Sequence, residues 1–456
     1  MSSASPVHSL KIGISGVRGV VGESLTPQLL VGFAQAFGSY LHGGVVVLGR
    51  DTRPSGEMVR NAVVGGLLAT GCSVTDIGIA PVPTLQLAVR QLNADGGVAI
   101  TASHNPQQWN ALKFIRSDGI FLNSYQAEEL LDIYHQRDFA LASATEIGEV
   151  RTDRHAVDRH LEALLSHTPV DLIRARRPRV VVDTCNGAGA VVSERLLRAL
   201  GAEVTMIHDT PDGHFPHPPE PTPAHLRELA QATRELHADL GFAQDADADR
   251  LAVVSPTLGP IGEEFTLAFA ASVVVVERPG PIVTNLSTSR MVDEVGARYG
   301  CPVLRTRVGE VNVVEEMVRQ RAVIGGEGNG GVVDPRGHYC RDSLAAICLI
   351  LEGLAQRSSV DAWVREFRPS AIVKLAVECP AAVVQRALSA VRREYAEQEL
   401  DLTEGIKVLW PRDGSWLHVR PSNTEPIVRV VAEADTPADA QAKADAAAEV
   451  IGAVVG

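Results

Sequence analysis

The feature that most constrains this chain is a plan that recurs three times along its 456 residues. A short apolar, β-branched run ends in a polar loop, a segment of helical period follows, and another apolar run begins. VVVLGRDTRPSG (45–56) leads into EMVRNAVVGGLLATG, RVVVDTCNGAGA (179–190) into VVSERLLRALGAEV, and PIVTNLSTSR (281–290) into MVDEVGARYGCPV. Strands alternating with helices form βαβ units, because two parallel strands need a crossover long enough to hold a helix. The plan therefore predicts three similar α/β domains with mixed, mainly parallel sheets.

The tail follows another rule. KVLWPRDGSWLHVRPS (407–422) alternates apolar and polar residues around Asp413-Gly414, a hairpin signal, and PIVRVVAEAD reads as a further strand. The last segment is a predicted helix with Thr436 as N-cap and Pro437 in its first turn. This makes a smaller C-terminal α+β domain. The expected divisions are 1–150, 151–255, 256–368 and 369–456.

A formal charge of −13 argues against nucleic acid or an anionic membrane surface as a partner, since both need a basic face. The longest apolar run, LAFAASVVVV (267–276), is too short to span a bilayer. The N-terminus lacks the charged-then-apolar profile of a signal peptide. The six cysteines are scattered without a CxxC pair. They read as thiols of a reducing cytoplasm, where this protein is expected to reside.

Five loops carry chemistry-bearing residues. TASHNP (101–106) follows the strand-like VAI and places Ser103 and His104 before an Asn-Pro turn. A plain turn would explain those six residues alone; a nucleophile loop would put Ser103 at a strand end facing a cleft. GFAQDADADR (241–250) sets Asp245, Asp247 and Asp249 at alternate positions, three hard oxygen donors suited to Mg²⁺. A calcium EF-hand is disfavoured, because Arg250 and Pro256 stand where glycine and glutamate would be needed. In GGEGNGG (325–331), Glu327 can accept hydrogen bonds from sugar hydroxyls while the glycines admit a ligand closely. RPSNTEPIVR (420–429) offers Arg420, Ser422, Asn423 and Thr424 to a phosphate. GISGVRG (13–19) places Arg18 among glycines. A serine nucleophile, a carboxylate metal loop and a phosphate cradle together point to phosphoryl transfer through serine. A serine hydrolase would instead show a GxSxG elbow.

TASHNPQQWNALK, DADADR, GEGN and RPSNTEP occur in the order and at the spacing of the α-D-phosphohexomutase superfamily, and the chain resembles that family over essentially its whole length. The resemblance implies four domains around a central cleft. It implies that Ser103 is the phosphorylated serine, and that Asp245, Asp247 and Asp249 hold Mg²⁺ together with the Ser103 oxygen. Arg250 resembles the arginine that assists the phosphoryl group, Arg18 and Lys113 the acid/base or charge-stabilising groups, and His104 the residue that organises the loop. Glu327 and Asn329 match the sugar-binding loop; Arg420, Ser422, Asn423, Thr424 and Arg429 match the phosphate-binding segment.

The implied reaction interconverts hexose 1-phosphate and hexose 6-phosphate through a bound 1,6-bisphosphate. Hexose 1,6-bisphosphate is the implied activator, and the enzyme is expected to be a monomer or homodimer. The GGEGNGG loop favours phosphoglucosamine mutase, and the SNTEP form favours the alternative, phosphoglucomutase/phosphomannomutase. A silent sugar-phosphate sensor and a phosphatase are the other readings. Ala246 and Ala111 stand where glycine is common in the family, so a loop needing positive φ there would be strained. Gly331 stands where many relatives carry a histidine and Asn329 where they carry serine, which leaves the second acid/base group unassigned.

Overall fold

The computed structural model describes residues 10–13, 16–422 and 426–455. The first sheet is built from β1 (Lys11–Gly13), β2 (Gly16–Val20), β3 (Gly44–Arg50), β4 (Cys72–Ile79), β5 (Gly96–Ile100), β6 (Trp109–Arg116) and β7 (Val150–Thr152), in the order β1-β2-β6-β5-β3-β4-β7. Its centre is parallel, with β3 between β4 and β5, whereas β6 and β2 run antiparallel. Apolar residues run without interruption along β3 because both faces are covered. Val46 and Leu48 pack with helices Pro27–Tyr40 and Gly56–Leu68, while Val47 faces Leu85 and Val89 of helix Val82–Gln91.

The second sheet comprises β8 (Arg179–Asp183), β9 (Glu203–Ile207), β10 (Leu240–Gln244), β11 (Leu251–Ser255) and β12 (Gly259–Pro260), in the order β12-β11-β10-β8-β9. The third comprises β13 (Ile282–Asn285), β14 (Val303–Thr306), β15 (Ile324–Glu327) and β16 (Gly331–Val333), in the order β14-β13-β15-β16. Each is parallel except at one margin, where β11 and β12 in the second sheet and β16 in the third pair antiparallel. They share one core, in which Phe242 and Val253 of one sheet join Phe269, Ile347 and Trp363 beside the other. Phe269 and Trp363 stack at 4.0 Å between ring centroids. The run LAFAASVVVV lies in helix Glu264–Glu277, which contributes to this core. Among the described residues, no helix is long and apolar enough to cross a membrane.

The fourth sheet is antiparallel: β17 (Ala371–Glu378), β18 (Glu399–Asp401), β19 (Ile406–Trp410), β20 (Ser415–Pro421) and β21 (Ile427–Ala434), in the order β17-β21-β20-β19-β18. The hairpin turns where expected, with Trp410 paired to Ser415 and Gly414 at φ +72°, a conformation glycine adopts without a Cβ clash. Thr436 Oγ1 accepts the amide of Asp439 at 3.2 Å and caps helix Pro437–Val455.

Three similar α/β units and a smaller α+β unit are thus present, with two boundary differences. β7 joins the first sheet beyond the expected division at 150, and β12 joins the second beyond 255, because each completes a ladder at a sheet edge. The motif loops leave the carboxyl ends of β5, β10, β15 and β20, where open α/β sheets place ligands.

Candidate active site

Ser103 is 6% exposed and has φ +48°, a left-handed conformation that a non-glycine residue keeps only when its surroundings impose it. Those surroundings are visible. Its amide donates to Thr101 Oγ1 at 2.9 Å. The fully buried guanidinium of Arg53 grips the same loop by its carbonyls: Nη2 donates to Ser103 O and Asn105 O at 2.7 Å each, and Nη1 to Pro106 O at 2.6 Å and Trp109 O at 2.9 Å. Arg53 Nε is neutralised by Asp51 Oδ2 at 2.9 Å. With the backbone held, Ser103 Oγ donates to Asp245 Oδ2 at 2.8 Å, across from the first domain to the second.

Asp245, Asp247 and Asp249 converge, each offering a carboxylate oxygen within 4.8 Å of the others, and all three are buried. Asp245 Oδ1 turns the loop by accepting the amides of Asp249 at 3.1 Å and Arg250 at 3.2 Å. Burial, then repulsion from Asp247 and Asp249, drives the Asp245 pKa well above the ordinary carboxylate value. Burial opposes ionisation of Asp247 too, but Lys113, whose Nζ lies 2.9 Å from Asp247 Oδ2, outweighs it and keeps that carboxyl ionised. Burial also works to discharge Lys113, and Asp247 and Asp249 overcome it. The buried Oδ1 atoms of Asp247 and Asp249 have no hydrogen-bond partner among the described residues. Orphaned hard oxygens under mutual repulsion fit a divalent cation. The left-handed residue of this loop is Ala248, at φ +54°. Ala246 and Ala111 are not left-handed, so the strain weighed for them does not arise; Ala111 lies within β6.

Cations ring the serine. Arg250 Nε is 3.9 Å from Asp245 and 3.7 Å from Asp249. Arg18 reaches Asn105 Oδ1 at 3.3 Å. His104 Nδ1 lies 3.5 Å from Ser103 Oγ. The Arg250 charge, then burial and Arg18, hold the His104 pKa well below its usual value, so its imidazole is neutral.

Glu327 ends β15 and accepts from Asn285 Nδ2 at 2.8 Å and from the Gly309 amide at 2.9 Å, with Asn329 Nδ2 3.4 Å away. Burial would raise its pKa, but Arg341 and these donors outweigh burial and lower it. Arg341 ties the Glu327 loop to the triple-aspartate loop. Its Nη1 donates to Glu327 at 2.8 Å, its Nη2 to Asp249, and its Nε lies 3.2 Å from Glu310. It fills the space beside Gly331, where a Cβ would stand 2.2 Å from Arg341 Cδ.

At the fourth loop, Arg420 and Arg429 face each other across β20 and β21. Burial lowers the Arg420 pKa, and its buried Nε has no hydrogen-bond partner among the described residues, although Nη1 is 3.7 Å from Glu404. Two opposed arginines suit an anion between them. Ser422 follows β20 and its amide donates to Ile427 O at 2.9 Å; Asn423 and Thr424 lie outside the described residues. The structure thus brings Ser103, His104, Lys113, Arg18, Arg250 and the three aspartates together, and Arg341 links them to Glu327.

Arg53, Arg341 and Glu310 escaped the sequence reading. Arg53 stands in RDTRPSG, beside an aspartate two residues earlier, a spacing that could have marked a local ion pair. Arg341 and Glu310 carry no such local signal, because their partners lie 92 and 31 residues away.

The sequence matches the four phosphoglucomutase/phosphomannomutase domain families: α/β/α domain I over residues 9–141, domain II over 158–259, domain III over 262–370 and the C-terminal domain over 373–450. It is 37% identical over 434 residues to a protein of Thermococcus kodakarensis named "Phosphoglucomutase/phosphomannomutase", covering 92% of this chain and 94% of that one. It is 38% identical over 429 residues to one of Methanopyrus kandleri named "Probable phosphoglucosamine mutase", covering 93% and 94%. A crystal structure of a phosphoglucomutase/phosphomannomutase family protein from Burkholderia thailandensis superposes with a TM-score of 0.85 at 25% identity, over 99% of each chain.

Proposed function

The chain belongs to the phosphoglucomutase/phosphomannomutase family and is a phosphohexomutase, an isomerase, and from that premise we propose that it interconverts glucosamine 1-phosphate and glucosamine 6-phosphate. The observation that carries the catalytic reading is the 2.8 Å contact of Ser103 Oγ with Asp245 at the triple-aspartate loop. It joins a nucleophile to a cation-ready carboxylate cluster in a buried setting. A sugar-binding protein without turnover has no need of that pairing.

In the proposed cycle Ser103 carries a phosphoryl group, first acquired from hexose 1,6-bisphosphate. The free hydroxyl of a bound hexose monophosphate attacks phosphorus, the bond from phosphorus to Ser103 Oγ breaks, and the hydroxyl proton ends on the departing Ser103 oxygen. His104, 3.5 Å from Ser103 Oγ, organises the serine loop, since the cations that keep its imidazole neutral also oppose its taking a proton. The bisphosphate then reorients, and Ser103 recovers the opposite phosphoryl group. Lys113, Arg18 and Arg250 offset charge on the phosphoryl oxygens. Arg420, Ser422 and Arg429, with Asn423 and Thr424, grip the phosphate that is not transferring, and Glu327 and Asn329 receive the sugar hydroxyls. Asp245, Asp247 and Asp249 would hold Mg²⁺, which when bound adds a fixed positive charge beside the phosphoserine oxygen.

The relative of T. kodakarensis, whose name specifies glucose and mannose phosphates, supports a second reading as phosphoglucomutase/phosphomannomutase. The test is ³¹P NMR with Mg²⁺ and a trace of hexose 1,6-bisphosphate, offering glucosamine, glucose and mannose 1-phosphates separately beside a Ser103→Ala control. Selective appearance of glucosamine 6-phosphate, absent with Ser103→Ala, is the expected result. Preference for glucose or mannose replaces the first reading by the second. Free phosphate alone, or turnover in the control, defeats the serine mechanism.

A further inference from the structure

A second group of metal-ligand side chains lies apart from the triple-aspartate loop. Asp183 ends β8, His208 follows β9, and His217 lies farther along the same connection. Asp183 Oδ2 is 3.0 Å from His208 Nδ1 and 3.0 Å from His217 Nε2, and the three donor atoms lie within 4.8 Å of one another. The imidazole rings stand edge to face, with centroids 5.5 Å apart and planes at 70°. Asp183 is buried, and the histidine side chains keep 18% and 15% of their exposure, enough to leave the cluster an opening to solvent.

The outer ring nitrogens decide what the inner ones can do. His208 Nε2 lies 3.1 Å from Glu228 Oε2, and His217 Nδ1 lies 2.9 Å from Pro218 O. Each faces an acceptor, so each carries its ring's N–H. In neutral rings the inner nitrogens then turn lone pairs toward one carboxylate oxygen. Three converging lone pairs call for positive charge among them, either two protons or one dication. A carboxylate and a backbone carbonyl holding the far side of histidine ligands is the outer shell that metal sites use to fix tautomer and orientation. Two imidazoles and one carboxylate, with a side open to water, match a zinc-class cation rather than Mg²⁺. Cys185 is not a ligand, since its Sγ lies 3.8 Å from the outer nitrogen of His217 and its amide donates to Asp183 Oδ1 at 2.8 Å.

We propose that Asp183 Oδ2, His208 Nδ1 and His217 Nε2 form a second metal site, for Zn²⁺ or a cation of its class. Its place gives it a structural task. The connection that carries His217 also carries Phe215, whose ring lies 5.0 Å beneath the Arg53 guanidinium. Gly213 in the same connection packs on the main chain of Thr52 and Arg53, and Thr52 Oγ1 donates to Asn186 O at 2.8 Å. An ion there ties two strand ends to the segment that seats Arg53, and thereby braces the Ser103 loop from the neighbouring domain.

The test uses full-length protein stripped with chelator, saturated with Mg²⁺ to occupy the aspartate loop, and dialysed against Zn²⁺. Elemental analysis is expected to find one Zn²⁺ per chain in the wild type and in Asp247→Asn, and none in folded His217→Gln. X-ray absorption of the zinc-loaded wild type is expected to show imidazole nitrogens at about 2.0–2.1 Å. That spectrum decides the matter without a variant, should His217→Gln not fold. Failure to retain Zn²⁺, an all-oxygen shell, or loss in Asp247→Asn with retention in His217→Gln would overturn the proposal.

Discussion

Arg53 Nη2 donates to the main-chain oxygen of Ser103 at 2.7 Å, so the loop bearing that serine hangs from a side chain that follows a different strand. Arg53→Met removes the charge and the planar fork together and leaves loop carbonyls and the Asp51 carboxylate unsatisfied in a buried site. Losing one partner of a buried ion pair costs about 3–5 kcal/mol, so denaturant unfolding should show a loss of that order. The remaining folded protein should also phosphorylate Ser103 slowly. Unchanged stability would mean that the guanidinium is dispensable to the loop.

Gly331→Ala tests the Arg341 bridge. The new Cβ would stand 2.2 Å from Arg341 Cδ, a contact that only movement of the arginine relieves. Displacing it releases Asp249 and Glu327 from their shared cation, and misplacement of about 1 Å at a reacting centre costs about 10²-fold in rate. Steady-state kinetics should show that loss mainly in kcat, with a normal far-ultraviolet dichroism spectrum. An unaffected kcat would show that Arg341 has room to yield.

The motifs were legible because each is local: a strand end, a polar loop and a few residues in fixed order. TASHNP and DADADR announce their chemistry within six residues, and the strand periodicity places them at one end of their sheets. What joins them was not legible. The fit of Arg341 beside Gly331 depends on β15 and β16 closing over a residue from a later loop, and the fused core of the second and third domains depends on Phe269 meeting Trp363. The left-handed residue falls two positions later than the Ala246 weighed, on Ala248, because the loop is turned by its own amides bonding Asp245 Oδ1 and by Ser343 Oγ donating to Ala248 O from a distant helix, and not by residue type. The His208 and His217 cluster stayed hidden because Asp183 sits more than twenty residues before either ligand and no short spacing links them.

His418 sits at the seam between the third and fourth domains, with Nδ1 2.8 Å from Ser287 Oγ and Nε2 2.8 Å from Glu404 O. Burial, aided by Lys407 and Arg420, brings its pKa down to about 4 from the usual 6.5. The unfolded chain then binds the proton more readily than the folded one. The stability is present above pH 6.5 and is lost as pH falls toward 4. The full effect is at most about 3 kcal/mol at 1.36 kcal/mol per pKa unit. Urea unfolding at stepped pH should show a slope of this sign, and His418→Gln should reduce it, the remainder including His338, which burial also brings down to about 4. An equal slope in the variant would assign the effect to another group.

The three aspartates predict a metal dependence of stability as well as of activity. In chelator, burial and the repulsion from Asp247 and Asp249 that drive the Asp245 pKa upward keep a proton in the cluster. A divalent cation takes that proton's place, so binding releases protons and tightens as pH rises. Mg²⁺ at a hundred times its Kd should stabilise the folded chain by about 2.7 kcal/mol, seen as a Tm that rises with Mg²⁺ and is indifferent to matched Na⁺. Asp247→Asn should abolish most of that rise, since it withdraws a ligand and frees Lys113 to compete with the ion. Calorimetry in two buffers of different ionisation enthalpy measures the protons released. A buffer-independent heat would mean that Asp245 is already ionised before the metal arrives.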